Sequence, residues 1–249
     1  MRIAVLADIH GNLPALDAVL ADLAHREVDQ VVNLGDHLSG PLLPRETADL
    51  LMAQSWVQIA GNHERQLLSF DRATAGPSDR YSHDRISEDH FTWLRALPPT
   101  VQIDGDVLLC HGSPRSDSEY LLDTVEAGRV RLASATEIAE RTVGVSATVV
   151  LCGHSHVPRA VRTGNGQLLV NPGSVGLPAF DDENPSHHAV EIGSPDARYA
   201  LLERWASAWT VALLAVPYDF ESMARLADHN DRPDWAHALR TGYVSANRR

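Results

Sequence analysis

Residues 2–12 read RIAVLADIHGN: an apolar run over 2–7, then Asp8, His10, Gly11 and Asn12 without a break. A run of this length, rich in Val, Ile and Leu and closed by polar residues, predicts a strand buried on both faces, as in a parallel sheet. The helix-period spacing of Leu13, Leu16, Val19, Leu20 and Leu23 predicts a helix directly after it, with Pro14 tolerated in the first turn. Strand then helix, with chemistry-bearing side chains between them, is the unit of an α/β fold whose ligands gather at the carboxyl ends of strands.

The same unit recurs outward from this stretch. QVVNL (30–34) runs into Gly35-Asp36, and WVQIA (56–60) into Gly61-Asn62-His63-Glu64. DVLLC (106–110) runs into His111-Gly112, and ATVVLC (147–152) into Gly153-His154-Ser155-His156. Helices are predicted over 44–54, from 62 to 70 and from 88 to 97, the last with Ser87 as its cap. The segment from Ala75 to Asp89, rich in Pro, Asp and Ser, reads as a loop, and 117–143 reads as a helical insertion. From 158 onward QLLV, HHAVEI and RYALLERW predict a more antiparallel set of strands, followed by helices over 218–240. The whole of 1–249 is expected to be one domain with helical insertions near 70–97 and 113–143 and a C-terminal helical extension near 218–249. Packed face to face, two mixed sheets flanked by helices give a four-layer α/β/β/α sandwich.

Composition narrows the function. The chain of 249 residues is 44% hydrophobic and carries a formal net charge of −12, so its bulk surface repels polyanions and broad nucleic-acid binding is disfavoured. No stretch approaches the ~20 apolar residues that a membrane span needs, so no membrane role is expected and a cytoplasmic setting is. Cys110 and Cys152 each end an apolar run, which suits buried thiols better than a disulfide framework.

In order and position, D-x-H, GD, GNH, H and GHxH resemble the calcineurin-like metallophosphoesterases, particularly their small bacterial and archaeal branch, where a segment like Asn171-Pro172-Gly173-Ser174 follows the last histidines. The resemblance covers residues 1–176. It implies a hydrolase acting on phosphomonoesters or phosphodiesters, either small molecules or nucleotides. It further implies that Asp8, His10 and His156 hold one metal ion, that Asn62, His111 and His154 hold a second, and that Asp36 bridges them. Nitrogen and oxygen ligands without thiolate suit Mn, Fe, Zn or Ni. A metal-bridging hydroxide is then expected to attack phosphorus while His63 assists the leaving group, with Asn62 and Asn12 contacting the substrate; Asn12 also reads as the cap of the first helix. The other reading of the same fold is a catalytically silent metal-binding interaction module. His37, His83, His90, His187 and His188 read as surface or packing residues, and Arg65 and Arg115 as solvated arginines that could also clamp phosphate.

Overall fold

The computed structural model describes residues 1–206 and 208–245. The opening unit forms as the pattern predicts: β1 (Arg2–Leu6), α1 (Leu13–Leu23), β2 (Gln30–Asn33), α2 (Pro44–Met52), β3 (Val57–Gln58) and α3 (Asn62–Leu68). Strands β1, β2 and β3 pair in parallel, with Val5 opposite Val32 and Val32 opposite Val57. Asn12 caps α1 by accepting from Ala15 N, and the helix buries Ala15, Leu16, Val19 and Leu23.

The middle of the chain supplies α4 (Pro77–His83), α5 (Glu88–Ala96), β4 (Thr100–Ile103), β5 (Val107–Cys110), β6 (Asp123–Glu126), β7 (Arg129–Leu132), α6 (Ala135–Arg141) and β8 (Val149–Leu151). The last part supplies β9 (Arg159–Arg162), β10 (Leu168–Asn171), β11 (Ala179–Asp182), β12 (His188–Glu191), β13 (Ala197–Trp205), β14 (Ala208–Val216), α7 (Phe220–His229) and α8 (Pro233–Thr241).

Two five-stranded mixed sheets result, ordered β14-β13-β1-β2-β3 and β4-β5-β8-β10-β9. They share one core: Ile3, Val5, Val32 and Leu202 of the first sheet cluster with Val107, Leu109, Val149, Leu151 and Val170 of the second. The outer face of the first sheet is covered by α1, through Ala4, Leu6 and Tyr199 against Leu16 and Val19. Ile138 of α6 lies over Val150 and Leu169 of the second. This is the expected sandwich, with buried area between sheets as its main stabilising term.

Three local differences from the sequence reading have clear causes. Residues 117–143 are not a helical insertion: β6 and β7 form a hairpin, and only α6 is helical. Its turn places Ala127 at φ 52° and Gly128 at φ 76°, the conformation that matches a two-residue hairpin to strand twist. That hairpin joins a third sheet, ordered β11-β12-β7-β6. The segment 75–89 is not merely a loop, since α4 docks through buried Asp79 and Ser82, whose hydroxyl donates to Leu38 O. Strands β13 and β14 do not build a separate sheet: β13 pairs antiparallel with β1. No helix among the described residues is long and apolar enough to cross a membrane.

Candidate metal centre

The five strand ends converge. Asp8 and His10 follow β1, Asp36 follows β2, Asn62 and His63 open α3 after β3, His111 follows β5, and His154 and His156 follow β8. The turns that carry them are tightly wound: Asp8, His10, Asp36, His154 and His156 all have φ between 54° and 66°. Asp and His tolerate this left-handed region better than bulkier residues do, but each still costs free energy, and such outliers concentrate where side chains must be aimed. Backbone bonds offset the cost, with Asp8 N donating to Gly35 O and His10 N to Asp36 O. A Cβ at Gly61 would collide with Asp36 Oδ1, so only glycine lets these loops close.

Two buried groups emerge. In Asp8, His10 and His156, and again in Asp36, His111 and His154, one ligand atom from each residue lies within 4.8 Å of the others. Asn62 Oδ1 sits 3.0 Å from His111 Nε2, and Asp36 Oδ2 lies 3.2 Å from the same nitrogen. The ring orientations test whether cations fit. Nδ1 of His10 lies 2.7 Å from Ser39 O, that of His156 2.7 Å from Leu177 O, and that of His111 2.8 Å from Leu34 O. Each Nδ1 therefore donates, and in the neutral ring each Nε2 offers a bare lone pair. His10 Nε2 and His156 Nε2 are 3.2 Å apart, and His111 Nε2 faces only oxygen acceptors. Lone pairs so arranged repel unless a proton or cation lies among them, so the donor set fits two divalent cations.

The charges agree. Burial alone would raise Asp8 and Asp36, yet His156 beside Asp8 and His111 beside Asp36 hold both below the ordinary carboxylate value. Burial and His156 push His10 down to about 3, and burial and His111 push His154 down to about 4. Against its own burial, His111 is lifted to about 10 by Asp36 and Asp8. In the metal-free protein His111 is thus the cation of its group. His63 is likewise raised to about 9: burial opposes its charge, but Asp36 and Asp79 overcome that.

Two supporting residues were not singled out by the sequence. Glu64 is fully buried and accepts from three backbone N–H groups, Asp36 at 2.8 Å, His37 at 2.9 Å and Gly61 at 2.8 Å, locking the Asp36 and Asn62 turns together. Its place at the start of α3 was visible, but its reach across to Asp36 was not. Asp79 of α4 accepts from His63 Nδ1 at 2.9 Å and from Ser39 Oγ at 2.6 Å. Nothing in its loop-like sequence context marked it.

Several expected residues lie elsewhere. Asn12 is fully buried, and its amide donates to Gly176 O and Tyr218 Oη while its oxygen caps α1, so it is committed to structure and not to substrate. Arg65 is paired with Asp117 and Arg115 with Glu119. His37 bonds Asn33 and Ile59 O, His83 stacks on Phe70, and His90 pairs with Asp49, all packing roles. A cavity of about 630 Å³ opens onto His10, Asp36, Asn62, His63, His154 and His156, and Phe180 and Trp235 flank it.

Comparison with known proteins places this geometry. Residues 1–193 match the family model described as the calcineurin-like phosphoesterase superfamily domain. A metallophosphoesterase from Sphaerobacter thermophilus of solved structure is 26% identical, with a TM-score of 0.75 over 96% of this chain and 98% of that one. An uncharacterised protein of Methanocaldococcus jannaschii is 25% identical over 94% of both chains. Vps29 of Entamoeba histolytica, solved with zinc, overlaps 86% of this chain and 92% of its own at 18% identity and a TM-score of 0.48, too distant to bear on function.

Proposed function

The chain belongs to the calcineurin-like phosphoesterase superfamily, and on that premise we propose that it hydrolyses phosphate esters with the help of two divalent cations. The observation that carries this reading is the pair of buried donor groups sharing one cavity, with Asp36 against His111 of one group and its field reaching His10 of the other. Asp8, His10 and His156 would hold one cation, and His111, His154 and Asn62 the other, with Asp36 between them. Mn, Fe, Zn or Ni all suit such ligands. Bound there, two such ions supply a nucleophilic water at neutral pH and offset the charge of the phosphoryl oxygens.

The chain's own residues do the rest. Asp79 fixes His63 through Nδ1, which leaves Nε2 as the ring nitrogen free to meet a substrate. In the metal-free protein, against its own burial, this ring is raised to about 9 by Asp36 and Asp79, and bound cations would draw that value down. His63 would then donate its Nε2 proton to the departing alkoxide. The proposed substrate is a small-molecule or nucleotide phosphate ester, monoester or diester, a reading supported by the apolar faces that Phe180 and Trp235 offer beside the polar lining of the cavity. A cytoplasmic setting is supported by the two buried, unbridged thiols.

The test is a panel of phosphate monoesters and diesters offered to protein stripped of metal and reloaded with each divalent ion. Turnover with at least one ester class, abolished by chelation, is expected. A protein that binds two ions yet turns over no ester would instead be a silent metal-binding module.

A further inference from the structure

One imidazole of the candidate centre is held differently from the rest. His10, His111 and His156 each anchor Nδ1 on a backbone carbonyl, whereas no described residue hydrogen-bonds the His154 ring. Two rings pack against it instead: Tyr120, 4.9 Å away and tilted by 46°, and the fellow candidate ligand His111, 5.1 Å away and tilted by 52°. Tyr120 is itself buried, and its hydroxyl lies 2.9 Å from His188 Nε2. His188, fully buried on β12, points Nδ1 at Ser186 O at 2.8 Å, so Nε2 is the acceptor and Tyr120 the donor. Burial raises the Tyr120 hydroxyl further above its ordinary value, which keeps that donor protonated.

The same outer layer grips the next residue of the turn. Asp123, at the start of β6, accepts from Ser155 Oγ at 2.7 Å and from Arg159 Nε at 2.7 Å. The third sheet therefore meets the His154–His156 turn directly at Ser155, through Asp123 of β6, and indirectly at the His154 ring, through His188 of β12 and the Tyr120 that it holds.

We propose that Tyr120, tethered by His188, is the positioning residue for His154, and through it sets the affinity of the cation site that His154 shares with His111 and Asp36. The proposal rests on the two-cation reading above. An imidazole free to rotate must be ordered when an ion binds, and a packed, tethered aromatic face removes that ordering cost in advance. The role would also account for the buried His188, which sequence reading left as a packing residue.

Calorimetric titration of chelator-stripped protein with Mn²⁺ alone tests it. Wild type should show two binding steps; one or none would remove the two-cation reading and this inference with it. Tyr120→Leu should weaken one step by roughly 10–100-fold, the usual effect of losing a residue that orients a ligand, and leave the other unchanged. His188→Leu, which releases the tether, should weaken the same step, and His188→Gln, which restores an acceptor for the hydroxyl, should recover it. Should Tyr120→Leu fail to fold, the His188 pair decides alone. Two steps unchanged in every variant, or both weakened together with a lower melting temperature, would overturn the assignment.

Discussion

Glu64→Gln exchanges one of the two oxygens that together take three buried N–H groups. Oε2 serves Asp36 N and Gly61 N, and Oε1 serves His37 N. The amide's best orientation keeps its oxygen on the pair and turns its NH₂ toward His37 N–H, so one hydrogen bond is lost and one buried donor is left without an acceptor. That costs about 1–3 kcal/mol. At about 2–4 °C per kcal/mol for a chain of this size, the melting temperature should fall by roughly 2–12 °C. Glu64→Ala strips all three donors and should cost at least twice as much as Glu64→Gln. Because Asp36 and Asn62 sit on the loops that Glu64 joins, both variants should also bind Mn²⁺ more weakly than wild type. Circular-dichroism melts of metal-free protein, with Mn²⁺ titration beside them, give both quantities. A Glu64→Ala protein melting within about 1 °C of wild type would refute the view that this carboxylate holds the two turns.

His63→Ala should keep its metal content but lose turnover, most for esters with a poor, high-pKa leaving group, and Asp79→Asn should show a smaller loss of the same selectivity; an equal loss on good and poor leaving groups would reduce His63 to an electrostatic role. His111 should make the metal-free protein pH-sensitive. Its folded value of about 10 exceeds the ordinary 6.5, so its contribution to stability is complete below pH 6.5 and is lost as pH rises through about 10. Melting temperatures of chelated protein across that window should therefore decline; a flat profile contradicts the assignment. Metal uptake at pH 8 should release a proton from His111, read from calorimetry in buffers of different ionisation enthalpy. Cys110, pushed to about 12 by burial, and Cys152, raised well above its ordinary value, should resist thiol reagents until the protein unfolds.

The parts of the fold legible in sequence were those governed by local rules. Buried runs such as Ile3–Ala7 and Val149–Leu151 declare a strand, and polar residues at their ends declare where the chemistry gathers. The parallel parts of the first two sheets, β1-β2-β3 and β5-β8, follow from this. The third sheet did not, because β6 and β7 are four-residue strands with mixed charge, Asp-Thr-Val-Glu and Arg-Val-Arg-Leu, joined by Ala127-Gly128 rather than an Asn-Gly turn. Nor does any local signal tell β13 to cross back and pair with β1, some two hundred residues earlier. The site divides in the same way. Asp8, His10, Asp36, Asn62, His111, His154 and His156 stand at strand ends in motifs whose order resembles a known family, and that resemblance is what named them as ligands. Glu64, Asp79, Tyr120 and His188 act through partners brought close only by folding, and Asn12 read ambiguously because a helix cap and a substrate contact ask for the same residue.

The most direct measurement follows metal content and turnover in one series of samples, stripped protein reloaded stepwise with Mn²⁺, for wild type and Asp36→Asn. Activity should rise until two ions are bound per chain and stop there, and Asp36→Asn, folded but lacking the carboxylate proposed to bridge the two ions, should neither hold both ions nor turn over substrate. Full activity at one ion per chain or fewer, or near-normal turnover and metal content in Asp36→Asn, would contradict the account.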